Sequence, residues 1–192
     1  MATATQIKPR YEGVKVTREE YLDLEEDGFI YDMIDGVLIM SPSPFFEHND
    51  TLAEILFLFK VYLKKTGSAK AVPETDIYLP DGADVLRPDI SVILKENYGI
   101  IKGHIHGVPD IVVEVLSKST KERDLGVKAN RYLENGVKEY WIADTDKKSI
   151  SLWLNENNEN KKNWKKIESN QIESVILPGF ILYKEEVFPK ES

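Results

Sequence analysis

The chain has 192 residues, enough for one domain with a substantial core, and its 42% hydrophobic and 30% charged content is ordinary for a globular protein. It has no cysteine, which excludes disulfides, thiolate zinc sites and cysteine nucleophiles. The formal net charge of -8 weighs against a protein that lives on nonspecific DNA affinity, although a local basic groove can coexist with an acidic remainder.

In chain order, residues 1–15 read as a flexible N-terminal arm, and 16–188 as one domain. Thr17 followed by Glu20 is a capping-box pattern that opens a short helix through about Glu26, closed by Asp27-Gly28. Phe29–Ile34 and Val37–Met40 flank Asp35-Gly36, a strong hairpin signal. Ser41-Pro42-Ser43-Pro44 is a rigid loop. A helix follows from about Glu47 to Lys65, with Leu52, Ile55, Leu56, Phe59 and Leu63 at helical spacing and Gly67 as its stop. Strand-like pieces lie at about 70–79 and 89–94, with Asp81-Gly82 turning between them. Lys95–Gly107, with three glycines, reads as loop.

Ile111–Leu116 is an apolar run interrupted only by Glu114, the pattern of a strand buried on both faces. Ser119 and Glu122 repeat the capping-box pattern, so a helix is predicted from about Thr120 to Asn135, ending at Gly136. Glu139–Ala143 is a strand. Ser149–Leu154 and Trp164–Ile167 form a hairpin around the polar stretch Asn155–Asn163, and Val175–Leu182 is extended. The order predicts a mixed α/β domain with one central β-sheet.

The chemistry centres on Glu114, because a carboxylate in an apolar strand needs a partner. Asp110 lies four residues away on the same strand, roughly 13 Å, too far to share one ion. Asp89, after Pro88 at the mouth of another strand, can converge with Glu114 if the two strands are neighbours about 4.8 Å apart. Such oxygen ligands suit Mg²⁺ or Mn²⁺, with water in the remaining positions. Lys128 shares the face of Leu125 and Tyr132 on the following helix, so its ammonium can aim at the carboxylates. Lys118, which keeps the parity of Glu114, and Lys121 compete with it. His48 lies on the inner face of its helix and could orient a water or a phosphate.

These segments resemble a known family. Tyr31–Pro44, His48, Arg87–Val92, Pro109–Ser117, Ser119-Thr120, Asp124, Lys128, Tyr132 and Gly136–Ile142 together resemble the Uma-type restriction endonuclease family, a branch of the PD-(D/E)XK nucleases, across most of residues 17–185. The resemblance implies a single restriction-endonuclease-like domain, with a central mixed sheet flanked by helices. Asp89 and Glu114 would be metal ligands, with Lys128 and His48 as further catalytic residues. The superfamily places its lysine two residues after the acid. That position is Leu116 here, and Lys128 on the next helix takes its place. Asp32 stands where the family often has glutamate.

The implied activity is a divalent-metal-dependent DNA endonuclease using Mg²⁺ or Mn²⁺. A cytoplasmic location is expected, because no apolar run approaches the roughly 18 residues of a membrane helix and the N-terminus lacks a signal-peptide core. A homodimer is expected because cutting both strands of a duplex calls for two sites. The same residues also admit other readings. A Glu114–Lys128 salt bridge accounts for both without catalysis, and the displaced lysine fits a catalytically inactive binding module on the same fold. A metal-dependent hydrolase of another substrate is a third reading. His104 and His106 could bind a transition metal, or simply sit in a solvated loop. Lys161, Lys162, Lys165 and Lys166 could touch phosphate, or simply be solvated.

Overall fold

The computed structural model describes residues 8–188 except 81, 83, 159 and 160. The Thr17–Glu20 capping box forms and opens α1 (Arg18–Leu22), which is shorter than predicted. Asp23, Glu25 and Glu26 follow directly, and negative charge at a helix C-terminus opposes its extension. The hairpin β1 (Ile30–Ile34) and β2 (Val37–Ser41) closes through Asp35 and Gly36, both at positive φ, as a two-residue turn of this kind requires. Of the expected arm, residues 1–7 lie outside the described residues. From Gly13 on, the chain hydrogen-bonds to this hairpin through Gly13, Val14 and Val16.

Helix α2 (Phe46–Thr66) ends at Gly67 in the left-handed conformation and buries Leu52, Ile55, Phe59 and Leu63. Four strands follow: β3 (Ala69–Pro73), β4 (Ile77–Tyr78), β5 (Val85–Leu86) and β6 (Ile90–Leu94). In the expected Asp81-Gly82 turn, Asp81 lies outside the described residues. The segment read as loop after Lys95 is instead ordered as a 3₁₀ turn over Lys95–Ile100, then β7 (Ile101–Lys102) and β8 (His104–His106). Its backbone groups are satisfied across a sheet, as β8 runs parallel to β4. That long-range pairing leaves little mark on local sequence.

Strand β9 is Ile111–Leu116. The predicted helix after it is divided into α3 (Lys121–Arg123), a π-helical turn over Asp124–Lys128, and α4 (Ala129–Asn135), ending at Gly136. The Ser119–Glu122 capping box does not form, and the Ser117 hydroxyl accepts the Thr120 N–H instead. Strands β10 (Glu139–Asp144), β11 (Ser149–Asn158) and β12 (Lys161–Glu168) follow, so the hairpin strands run well into the stretch read as a polar loop. The chain closes with β13 (Gln171–Glu173), β14 (Ile181–Tyr183) and α5 (Lys184–Val187).

Two six-stranded sheets result, rather than one central sheet: β12-β11-β10-β9-β6-β3 and β2-β1-β5-β4-β8-β7. The first is mixed, since β9 and β10 run parallel and its other pairs antiparallel. Alternate residues of β9 serve opposite cores, as the two-residue period of a strand demands. Ile111, Val113 and Val115 pack with α2. Val112 and Leu116 pack with Ala129 and Tyr132 of α4. Glu114 shares the face of the second group, so it points toward α4.

Candidate active site

Strands β6 and β9 are hydrogen-bonded neighbours, with Ile90 opposite Val113 and Ser91 opposite Val112. One further step in that antiparallel register sets Asp89 opposite Glu114. Asp89 stands just outside β6, where its Oδ2 accepts the Val115 N–H at 2.5 Å. His48, in the first turns of α2, places Nε2 3.3 Å from the same oxygen. Burial works against charging His48, but the Asp89 carboxylate outweighs it and raises the imidazole above its ordinary pKa.

Lys128 reaches Glu114 from the end of the π-helical turn, with Nζ 2.5 Å from Oε1. It also approaches Asp124 Oδ1 at 3.5 Å and donates to the Arg87 carbonyl at 3.3 Å. Tyr132 donates its hydroxyl to Glu114 Oε1 at 3.0 Å. The Glu114 and Lys128 side chains are each only 3% exposed. Burial and the nearby Asp124 and Asp89 charges push the Glu114 carboxyl well up, against the pull of Lys128. Burial would strip Lys128 of its proton, but Asp32, Glu114 and Asp124 hold its ammonium in place. The cluster therefore gathers three carboxyl groups, those of Asp89, Glu114 and Asp124, around one buried lysine.

The π-helical turn lies where Asp124 and Lys128 face the strands, and single π turns recur at functional sites. Gly126 at its centre gives the backbone latitude there. Lys121, one of the competing lysines, is taken by Asp144 at 2.7 Å. Lys118 is exposed and lies outside the cleft lining. Asp110 acts at the start of its strand, where it accepts the Leu94 N–H and the Asn97 amide and pairs with Lys138.

The cluster opens into a cleft of about 360 Å³ lined by Asp89, Glu114, Lys128, His48, Arg123 and the Ser41–Phe45 loop, among others. Arg123 is fastened by the Ser41 hydroxyl and the Met40 carbonyl, and its Nε lies 3.4 Å from Asp32. Asp32 also accepts the Arg87 N–H at 2.8 Å, so aspartate reaches its neighbours from this position. Sequence reasoning missed Asp124 and Arg123 as members of the cluster. The i,i+4 spacing of Asp124 and Lys128 was an available signal for the first. Nothing local marked Arg123, whose partners lie more than 80 residues away.

His104, His106, Lys162, Lys165 and Lys166 are all solvent-exposed, in keeping with their solvated readings. His106 stacks on Tyr78 with ring centroids 4.8 Å apart, and His104 meets the same ring edge-on. Among the described residues, no group of three or more histidine, aspartate or glutamate side chains is placed to hold a metal. Lys166 lies over the Trp153 ring, and Lys162 donates to the Glu134 carbonyl.

A mixed sheet with helices on both faces and an acid-lysine cluster at a cleft defines a restriction-endonuclease-like α/β domain. The sequence matches the Uma2 family, described as putative restriction endonuclease, over residues 18–183, and the chain belongs to that family. The fold is similar to the crystal structure of a putative nuclease belonging to DUF820 from Anabaena variabilis ATCC 29413, with a TM-score of 0.74 and 19% sequence identity. That similarity covers 90% of this chain and 97% of the other. No curated protein matches the chain. No helix among the described residues is long and apolar enough to cross a membrane.

Proposed function

We propose that this protein is a divalent-metal-dependent endonuclease that hydrolyses DNA phosphodiester bonds, acting in the cytoplasm as a homodimer. The observation that supports this reading is the convergence of Asp89 and Glu114 from adjacent strands, with the Lys128 ammonium beside them and a cleft in front. Three carboxyl groups gathered around one lysine supply the oxygen donors that a hard cation takes. Mg²⁺ is commonly held by one or two carboxylates, with water and substrate phosphate completing its shell. Asp89 and Glu114 would hold it, and it would supply Lewis acidity and a water of lowered pKa.

The other residues have definable tasks. Lys128 keeps a fixed positive charge next to the carboxylates, suited to the charge that develops on a phosphorane. Asp124 holds that ammonium, and Tyr132 orients Glu114. His48 fixes Asp89 and, when charged, adds to the positive field at the cleft edge. Arg123, anchored on the cleft wall, offers a guanidinium to a phosphate. The test is cleavage of supercoiled and linear DNA with and without Mg²⁺ or Mn²⁺, using Asp89→Ala as control. Absence of both Mn²⁺ binding by calorimetry and cleavage of every DNA form would sink the reading.

One observation favours the inactive binding module. Lys128 and Glu114 already contact each other with their side chains almost fully buried, and a mutually neutralised pair needs no ion. That reading requires a melting temperature indifferent to Mn²⁺, and metal-dependent nicking rules it out.

A further inference from the structure

The outer face of α2 carries a charge pattern that no described residue of the chain answers. Phe57 stands at its centre, 61% exposed, with Ala53 and Val61 beside it on the same solvent-facing stripe. On the N-terminal side lie Asp50 and Glu54, on the C-terminal side Lys60 and Lys64. Each pair is like-charged at i,i+4, an arrangement that weakens an isolated helix. None of the four takes part in an ion pair among the described residues.

Asp50 and Lys64 are each seven residues from Phe57, about 10 Å along the axis and at nearly the same angle around it. An antiparallel copy of α2, related by a two-fold axis at Phe57, would bring Asp50 against Lys64 of its mate, and Lys64 against Asp50. Phe57 would meet Phe57, with Ala53 against Val61. The pattern is self-complementary, which is what an isologous two-fold interface requires. The acidic half repels a phosphate backbone, so nucleic acid does not fit this face.

We infer that the outer face of α2 is a homodimer interface, occupied by α2 of a second copy in antiparallel orientation. The inference rests on α2 alone, and its readout is oligomeric state, so loss of nuclease activity would leave it untouched. The test is sedimentation equilibrium of the full chain at micromolar concentrations. The wild type should be a dimer, Phe57→Leu should remain one, and Phe57→Glu should be monomeric with an unchanged circular-dichroism melt. Asp50→Lys and Lys64→Asp should each weaken the dimer several-fold, and their combination should restore it. A monomeric wild type, a dimer indifferent to Phe57→Glu, or a double exchange no tighter than the single ones overturns the inference.

Discussion

Glu114 and Glu139 are both buried glutamates on adjacent parallel strands, yet their surroundings differ in kind. Glu139 accepts the Trp141 indole N–H, the Ser174 hydroxyl and the backbone N–H groups of Val175 and Ile176. Its charge is spread over neutral donors that tie the tail to the sheet. Glu114 has a lysine and a tyrosine on one oxygen, two further carboxylates nearby, and an open cleft. A buried acid in a strand is thus no mark of a site by itself. Carboxyl groups crowded around one lysine beside a cleft are the distinguishing feature.

The largest expected effect breaks the comparison on the Glu114 side. Asp89→Ala or Glu114→Ala should lower metal-dependent cleavage on the order of 10³-fold, while Glu139→Gln leaves the rate per folded molecule unchanged. Single-turnover nicking assays measure both. Next comes Lys128→Ala, which strands Glu114 and Asp124 without a counter-charge and should cost about 3–5 kcal/mol in urea unfolding without metal. Mn²⁺ should recover part of that loss if the carboxylates hold it, and recovery by an equal amount in Glu114→Ala/Lys128→Ala would contradict the assignment.

Glu139→Gln should destabilise by about 2 kcal/mol, since several buried donors lose a charged acceptor, and added Mn²⁺ should not change that figure. Tyr132→Phe removes one hydrogen bond to Glu114 and should cost about 1 kcal/mol, with a several-fold drop in cleavage.

The smallest effect lies at the end of β10. Burial would raise the Asp144 carboxyl, but hydrogen bonds from the Lys121 ammonium and the Lys147 N–H outweigh it and hold it below its ordinary value. A carboxyl depressed in the folded state contributes stability above its unfolded pKa of about 3.9, and loses it as pH falls through the folded value. Lys121→Ala should therefore flatten the melting temperature against pH below about pH 4, without changing cleavage at neutral pH.

Local signals were readable where one residue decides local geometry. Asp35-Gly36, Gly67 and Gly136 mark the turn and helix ends they were expected to mark. The apolar period of α2 and the run of β9 also read directly, as did Lys128 on the inner face of its helix. Strands β5, β7 and β8 did not, because two or three residues carry no period, and β5 and β8 are held by β1 and β4, far along the chain, while β7 pairs only with β8 beside it. The Ser119 cap did not form because the helix begins at Lys121, with Thr120 at its N-cap, and the Ser119 hydroxyl pairs with that of Ser117 instead.

The sequence by itself determined which residues must be inside, since apolar periodicity and a lone acid in an apolar strand are properties of the chain. It also named the candidate acids and three lysines that could reach them, and the structure chose Lys128 among these. Only the tertiary structure decided that β6 lies beside β9 in the register that sets Asp89 opposite Glu114. It alone decided that a π-helical turn carries Asp124 and Lys128 to them, and that Ser41 and Met40 fasten Arg123 beside Asp32 at the cleft. Those contacts join residues tens of positions apart. Their energies depend on burial and on the mutual arrangement of charges, which no local stretch of chain encodes.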